Sequence, residues 1–454
     1  MSYQTIISML RREKEQANGA EKTVQHTNDN VQTQYETDMS HSDPEQAAPI
    51  TPKETYPEGG KAAYLVVLGS FSAIMGGLGL MNSIGIYQSW ISSHQLQDVG
   101  EGKRGWIFGL YNFMVFFCGI QIGPVFDVYG PTWLMVGSLV LYVATFASLG
   151  FCEEYWHFLV VVGLVAGAAT SIVFVVPVAT LGQYFNVKRG AATGLAMAGG
   201  SLGGVMYPLV FDALSDDVGF AWTTRAIGLI TVVLLLVGCV LVRPRKAFYK
   251  SKPADTSILP DFRILLRPAV LLMTVGVFFI EWGFFIGLEY VASYSLAHGI
   301  SQRLSYLMVV FLNAGSFPGR WLPGFVADRF GRMKTMIVTN ALCIVAMLAI
   351  WLPANGNVVA VVIFSVVFGF ASGSNISLVP VCVGEYCSTE NYGRYYSTVY
   401  TVVSLGALTG VPIAGEILAR SGGGYSGLII FAGVAYVAGT ICFVSLVIFK
   451  KYLS

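Results

Sequence analysis

In this chain of 454 residues, 54% are hydrophobic and only 12% charged, against about 25% charged in a soluble globular domain. Most of the polypeptide therefore has lipid as its solvent, and a formal net charge of +1 gives no general basic field for nucleic acid. Seven cysteines are scattered through apolar runs without CxxC or Cys/His clustering, which excludes a disulfide framework and a zinc site and leaves them as small core residues.

Residues 1–60 are polar and include TNDNVQTQYETDMSHSDPEQ. They carry too little apolar surface to offset the entropy of ordering, so the expectation is a disordered tail. No short apolar region with a small-residue cleavage site is present there, so the first apolar helix must direct insertion.

From Ala62 onward twelve apolar stretches follow, at 62–88, 105–125, 130–150, 155–182, 190–212, 223–243, 268–292, 303–326, 333–352, 357–383, 393–417 and 424–449. Each is near the roughly 20 residues that cross a bilayer as a helix. The one long internal gap, 244–267, divides them six and six. The predicted organisation is a tail (1–60), an N-terminal six-helix bundle (61–245), a cytoplasmic linker (246–267), and a C-terminal six-helix bundle with a short tail (268–454). The fold class is an all-α membrane protein of twelve transmembrane helices.

Alternating the loops across the membrane places Lys188, Arg189, Arg243, Arg245, Lys246, Lys250, Lys252, Arg263, Arg267, Arg329, Arg332, Lys334, Arg394, Lys450 and Lys451 on one side, fifteen in all, and Lys103, Arg104, Arg225, Arg303 and Arg420, five, on the other. Basic residues are retained inside, so both termini are expected in the cytoplasm. The plasma membrane is the expected location.

The first half carries GPVFDVYG (123–130) after its second stretch and the second half carries GFVADRFG (324–331), 201 positions later. The shared G-x3-D-x2-G marks a duplication, and duplicated halves with a site at their interface are a mark of secondary transporters. In the second copy Asp328, Arg329, Gly331, Arg332 and Lys334 crowd one turn, where the carboxylate can cap a helix and pair with guanidinium groups. This GxxxDRxGRxK pattern resembles the loop signature of the major facilitator superfamily. The first copy has Val128, Pro131 and Thr132 where basic residues are usual, which leaves Asp127 as a cap. The gating set is accordingly Asp127, Asp328, Arg329 and Arg332, with Lys188 and Arg189.

At the start of the fifth stretch, YFNVKRGAATGLAMAGGSLGG (184–204) sets Lys188 and Arg189 before a ladder of small residues. Gly190, Gly194, Gly200 and Gly204 leave much of this helix as bare backbone that a neighbour can approach closely. Together with EGGKAAY (58–64), the segment resembles the monocarboxylate porter family, in particular its fungal members, over roughly residues 57–450. The resemblance implies the major facilitator fold, alternating-access transport of a small molecule, and an accessory membrane glycoprotein as in animal relatives.

A charge at a helix centre costs about 2.5–3.5 kcal/mol on insertion scales. Arg320, in FLNAGSFPGRWLPGF, corresponds to the arginine that family members use for an anionic group, and its planar fork suits that role. The family's aspartate one turn earlier is Ser316 here, and its first-helix lysine is Asn82. Both changes remove titratable or charged partners, so the substrate is expected to be larger or less charged than a monocarboxylate. Glu281 lies deep in the seventh stretch, where desolvation would let it exchange a proton and couple transport to a gradient. With Arg320, Asn82 and Ser316, the mid-helix residues Asn313, Asn375 and Ser171 complete a candidate substrate site. Asn112 also stands at mid-helix, and Trp282, Trp321 and Tyr207 are candidates for an apolar wall.

The five histidines (26, 41, 94, 157, 298) lie in the tail, loops or helix ends without HExxH or metal spacing, so neither an enzyme nor a metal or cofactor site is indicated. No Walker P-loop is present, so the driving force is an ion gradient or the substrate's own. The function expected is secondary transport, inward or outward, of a small carboxylate or secondary metabolite. The alternative is a nutrient or metabolite sensor on a transporter scaffold, which a flux assay separates.

Overall fold

A computed structural model describes residues 56–245 and 259–453. In order these form α1 (Lys61–Ser93), α2 (Glu101–Phe117), α3 (Gly119–Tyr129), α4 (Thr132–Leu149), α5 (Tyr155–Phe158), a π-helical stretch Leu159–Ala166, α6 (Gly167–Leu181) and α7 (Arg189–Leu241). The second half contributes α8 (Pro268–Ala297), α9 (Gln302–Phe330), α10 (Arg332–Val345), a π-helical stretch Ala346–Trp351, α11 (Val358–Val383), α12 (Tyr392–Arg420) and α13 (Ser426–Leu453). Helices are the natural solution for this composition, because each satisfies its own backbone where no water is available.

Ten of the described helical segments are long and apolar enough to cross a membrane. Two features separate this from the twelve stretches read in the sequence. The fifth and sixth stretches run together as α7, and the intervening segment 212–217, expected as a loop, is helical. Its one non-helical residue is Gly219, at φ 75° and ψ 171°, where two helices meet end to end; glycine reaches that conformation without steric cost. The eighth stretch folds as the 29-residue α9, but its asparagine, arginine and two prolines keep it outside the ten. The second stretch is interrupted at Cys118, between α2 and α3.

Two other boundaries shift. Residues 1–55 of the expected tail and 246–258 of the expected linker lie outside the described residues. Tyr56–Gly60 is packed against the rest of the chain, and Phe262–Leu266 forms a 3₁₀ turn capped by Asp261.

The small-residue ladder has two faces. Gly199 and Gly203 press on the backbone of α1 at Phe71 and Met75, so that a Cβ at either would overlap a carbonyl oxygen. Gly190 and Gly194 turn instead to α9 in the other half, meeting Gly324 and Arg320 respectively, while Gly200 touches both Leu78 and Arg320 and Gly204 both Asn82 and Asn313. Small side chains let backbones approach where lipid supplies no hydrophobic drive between helices.

Candidate functional site

Both halves contribute to a cavity of about 560 Å³, within the range of roughly 300–1,000 Å³ usual for a ligand site. Residue 61 of α1 and residue 330 of α9 lie near Lys188 and Asn186, so the lining residues Ser92, Leu296 and Tyr306 belong to the opposite end. The cavity therefore opens away from the basic end of the molecule.

Its polar lining includes Asn82, Gln88, Arg104, Asn112 and Glu289 together with several serines, and Phe285 and Leu288 are among the apolar residues. Asn112 Nδ2 donates to Glu289 Oε1 at 3.3 Å, joining α2 to α8 across the two halves. Asn82 Nδ2 donates to the Gly200 carbonyl at 3.0 Å, and Asn313 sits beside it against Gly204. Asn313 itself donates back to the Val309 carbonyl of its own helix.

Arg320 is not in the cavity wall. It lies ten residues further along α9 than the lining residue Val310, about 15 Å deeper at 1.5 Å per residue, and is 2% exposed. Its Nε donates to Ser316 Oγ at 3.2 Å and its Nη1 to the Met197 carbonyl on α7 at 2.9 Å. Ser201 Oγ donates to the same Ser316 oxygen at 3.0 Å. Arg320 and Ser316 thus fasten α9 to α7, and Glu281, 3% exposed, is within electrostatic reach of the guanidinium.

The remaining candidates are dispersed. Asn375 accepts from Thr339 Oγ1 at 2.9 Å and faces Cys343 inside the second half. Ser171 is fully buried with no hydrogen-bond partner for its hydroxyl. Trp282 and Trp321 are partly exposed and Tyr207 is buried against Gly76 and Thr231; none of the three lines the cavity.

At the basic end the halves meet through helix caps. Asp127 Oδ1 accepts from Gly393 N–H at 3.0 Å and Oδ2 from Arg394 N–H at 2.8 Å, at the start of α12. Asp328 does the same at the start of α7, accepting from Gly190 and Ala191 N–H at 2.8 Å each. Carboxylates are well placed there, since the first amides of a helix have no partner within it and carry the positive end of its dipole. Sequence reasoning expected Asp328 both to cap a helix and to pair with guanidinium groups; its closest contacts are backbone amides, with Arg332 nearby as a charge. Arg332 reaches across to the Asn186 carbonyl at 2.6 Å and lies 4.0 Å from Glu385. Lys188 enters through its backbone N–H, Arg329 is exposed over the Phe325 ring, and Arg189 is buried with its guanidinium 4.1 Å from the Tyr392 ring.

Two features were missed. Glu58 accepts from the N–H groups of Asn186, Val187 and Lys188 at 2.7, 2.7 and 3.0 Å, so EGGKAAY acts on the segment leading into α7. Its backbone is held at φ 51°, uncommon for a residue with a side chain. Tyr392, Tyr396 and Tyr400, one turn apart on α12, form the centre of an aromatic cluster with Phe116 and Phe174 of the first half. Their spacing of four was a legible signal.

A bundle of long apolar helices, repeated by half and enclosing a one-ended cavity, defines a membrane carrier. The Major Facilitator Superfamily model matches residues 62–363 and, in a second match, 321–453, and the chain belongs to that family of membrane transporters, which are not enzymes. The chain is similar to the riboflavin transporter MCH5 of Saccharomyces cerevisiae, 32% identical over 92% of this chain and 83% of that one. It is also similar to the MFS transporter asaE of Aspergillus flavus, 32% identical over 85% and 86%. Among solved structures, the transporter FucP of E. coli in its outward conformation shares the fold at a TM-score of 0.65 and 15% identity, over 85% of this chain and 99% of that one.

Proposed function

We propose that the chain is a secondary transporter in which two six-helix bundles, 61–245 and 268–454, rock about the central cavity to expose it to each side in turn. Counting α7 as two spans meeting at Gly219 and adding α9 gives twelve transmembrane helices. The observation that carries the proposal is a cavity walled by both halves and lying towards one end, while duplicated aspartate caps join the halves at the other. Retention of basic residues inside puts the capped end and both termini in the cytoplasm and opens the cavity outward, with the plasma membrane as the location.

The cargo is a small organic molecule of the secondary-metabolite or vitamin kind rather than a simple monocarboxylate. Arg320, the group that would hold a carboxylate, is spent on Ser316 and Met197 beneath the cavity, and the similar MCH5 is described as a riboflavin transporter. Asn82, at the cavity wall, and Asn313 beside it are substrate contacts; Arg320 and Ser316 join the site when the halves separate below it. Asn375 and Ser171 support the helices around them. Glu281, buried beside Arg320, carries the coupling proton.

Profiling metabolites inside and outside cells with and without the protein tests substrate and direction together. A redistributed compound, lost on substitution of Arg320, is the expected result; identical profiles with the protein present in the membrane would leave the sensor as the better account. For coupling, Glu281→Gln should flatten the pH dependence of flux, and an unchanged profile would remove Glu281 from it.

A further inference from the structure

The open cavity contains hydrogen-bonding atoms that the fold leaves unspent. Asn112 is 3% exposed and gives Nδ2 to Glu289, but its Oδ1 is buried with no partner. Arg104 gives Nη1 to the Ser92 carbonyl at 2.7 Å, while its Nε is likewise buried and unpartnered. Both residues line the cavity. An unmet buried polar atom is costly and calls for an explanation, of which a missing ligand is one.

The kinds of atom restrict the ligand. Asn112 and Glu289 are joined through Asn112 Nδ2, so the amide oxygen of the one and the carboxylate of the other are acceptors on touching side chains. Two adjacent hydroxyls match such a pair, each O–H donating to one oxygen. Arg104 in the same cavity offsets the charge of Glu289, which disfavours a cation, and Glu289 itself disfavours an anion. The apolar wall of Phe285 and Leu288 accepts a ring or hydrocarbon body.

We infer that the cavity selects a neutral organic molecule bearing adjacent hydroxyl groups, with Asn112 and Glu289 receiving their protons and Arg104 donating to an acceptor on the same molecule. The apolar body lies against Phe285 and Leu288. Because Asn112 and Glu289 come from opposite halves, such a molecule ties the halves together as the unspent atoms turn to it. This inference rests on the cavity being the cargo site, as proposed above.

The test is binding to the full chain in lipid nanodiscs with two matched probe pairs. Riboflavin carries a polyhydroxyl chain and lumiflavin the same ring system with a methyl group in its place; phenyl glucoside and anisole form the second pair. The hydroxyl-bearing member of at least one pair should bind at least tenfold more tightly than its partner. Glu289→Gln, nearly identical in shape, and Asn112→Leu should each remove that preference, weakening the hydroxylated probe at least tenfold and leaving the bare ring unchanged. If Asn112→Leu fails to fold, Glu289→Gln alone carries the test. The inference is overturned if neither hydroxylated probe binds, if the bare rings bind equally well, or if both variants bind as the parent does. Preserved binding without flux in proteoliposomes would instead overturn transport and leave the site chemistry intact.

Discussion

The two seams that join the halves are built on one plan and finished differently. In one, α3 meets α12: Gly123 lies against Gly393, and Asp127 caps the first amides of α12. In the other, α9 meets α7: Gly324 lies against Gly190, and Asp328 caps the first amides of α7. Towards the membrane interior they diverge. The first seam continues into stacked tyrosines and phenylalanines, the second into Arg320, Ser316 and Ser201. The common element, a carboxylate on a helix start beside two touching glycines, is what closes the basic end. The part that differs assigns directional, breakable polar contacts to one seam and non-directional packing to the other.

The largest effect is expected in the polar seam. Arg320→Ala should lower flux by tenfold or more with the protein still in the membrane, because it removes the donors to the Met197 carbonyl and Ser316 Oγ and takes the neighbouring cation from Glu281; a buried polar group left unsatisfied costs about 1–3 kcal/mol. Arg320→Lys should restore little, since one ammonium cannot reproduce the fork. Near-normal flux in either variant would make the seams equivalent.

Next come the touching glycines. Gly393→Val and Gly190→Val should each hold the basic end apart, since a Cβ at either falls 2.6–2.7 Å from a capping aspartate oxygen, an overlap of the kind that costs about 1–3 kcal/mol. Alkylation of cysteines introduced at that end should speed up in both variants, and unchanged rates would count against a sealed end.

The caps should then separate the seams. Asp127→Asn should weaken closure by about 1 kcal/mol, the net worth of one hydrogen bond, because the amide NH2 cannot accept from the second of the two N–H groups that Asp127 holds. Asp328→Asn should cost less, because Glu58 still holds the amides of residues 186–188 just ahead of α7. Combining Glu58→Gln with Asp328→Asn should cost more than the two singly, and additivity would show that they act independently. A change of about 0.5–1.5 kcal/mol, the net worth of one hydrogen bond, is expected for Arg332→Ala, which loses its 2.6 Å bond to the Asn186 carbonyl together with a long 4.0 Å contact to Glu385.

Much of this was legible because lipid demands long apolar helices and because the duplication repeats its aspartate. The glycine ladder announced close packing, though not that Gly190 and Gly194 face the other half, Gly199 and Gly203 their own, and Gly200 and Gly204 both. Residue type marked Arg320 as functional but could not show it spent beneath the cavity, since that depends on the Met197 carbonyl, which any residue could supply. Glu289 and Glu281 share a helix and a chemistry, and only the packing puts Glu289 in the cavity wall. Gly219 ends a helix by conformation alone, so the sequence between the fifth and sixth stretches read as a polar loop.

The central claim is that the capped end and the cavity end open alternately. Paired spin labels at exposed positions, one pair spanning Val187 and Phe330 and the other spanning Gly85 and Leu296, measure both separations in the same lipid preparation. On weakening the caps with Glu58→Gln and Asp328→Asn, the first distance should lengthen while the second shortens. Two distances that stay fixed, or that lengthen together, would contradict alternating access in this protein.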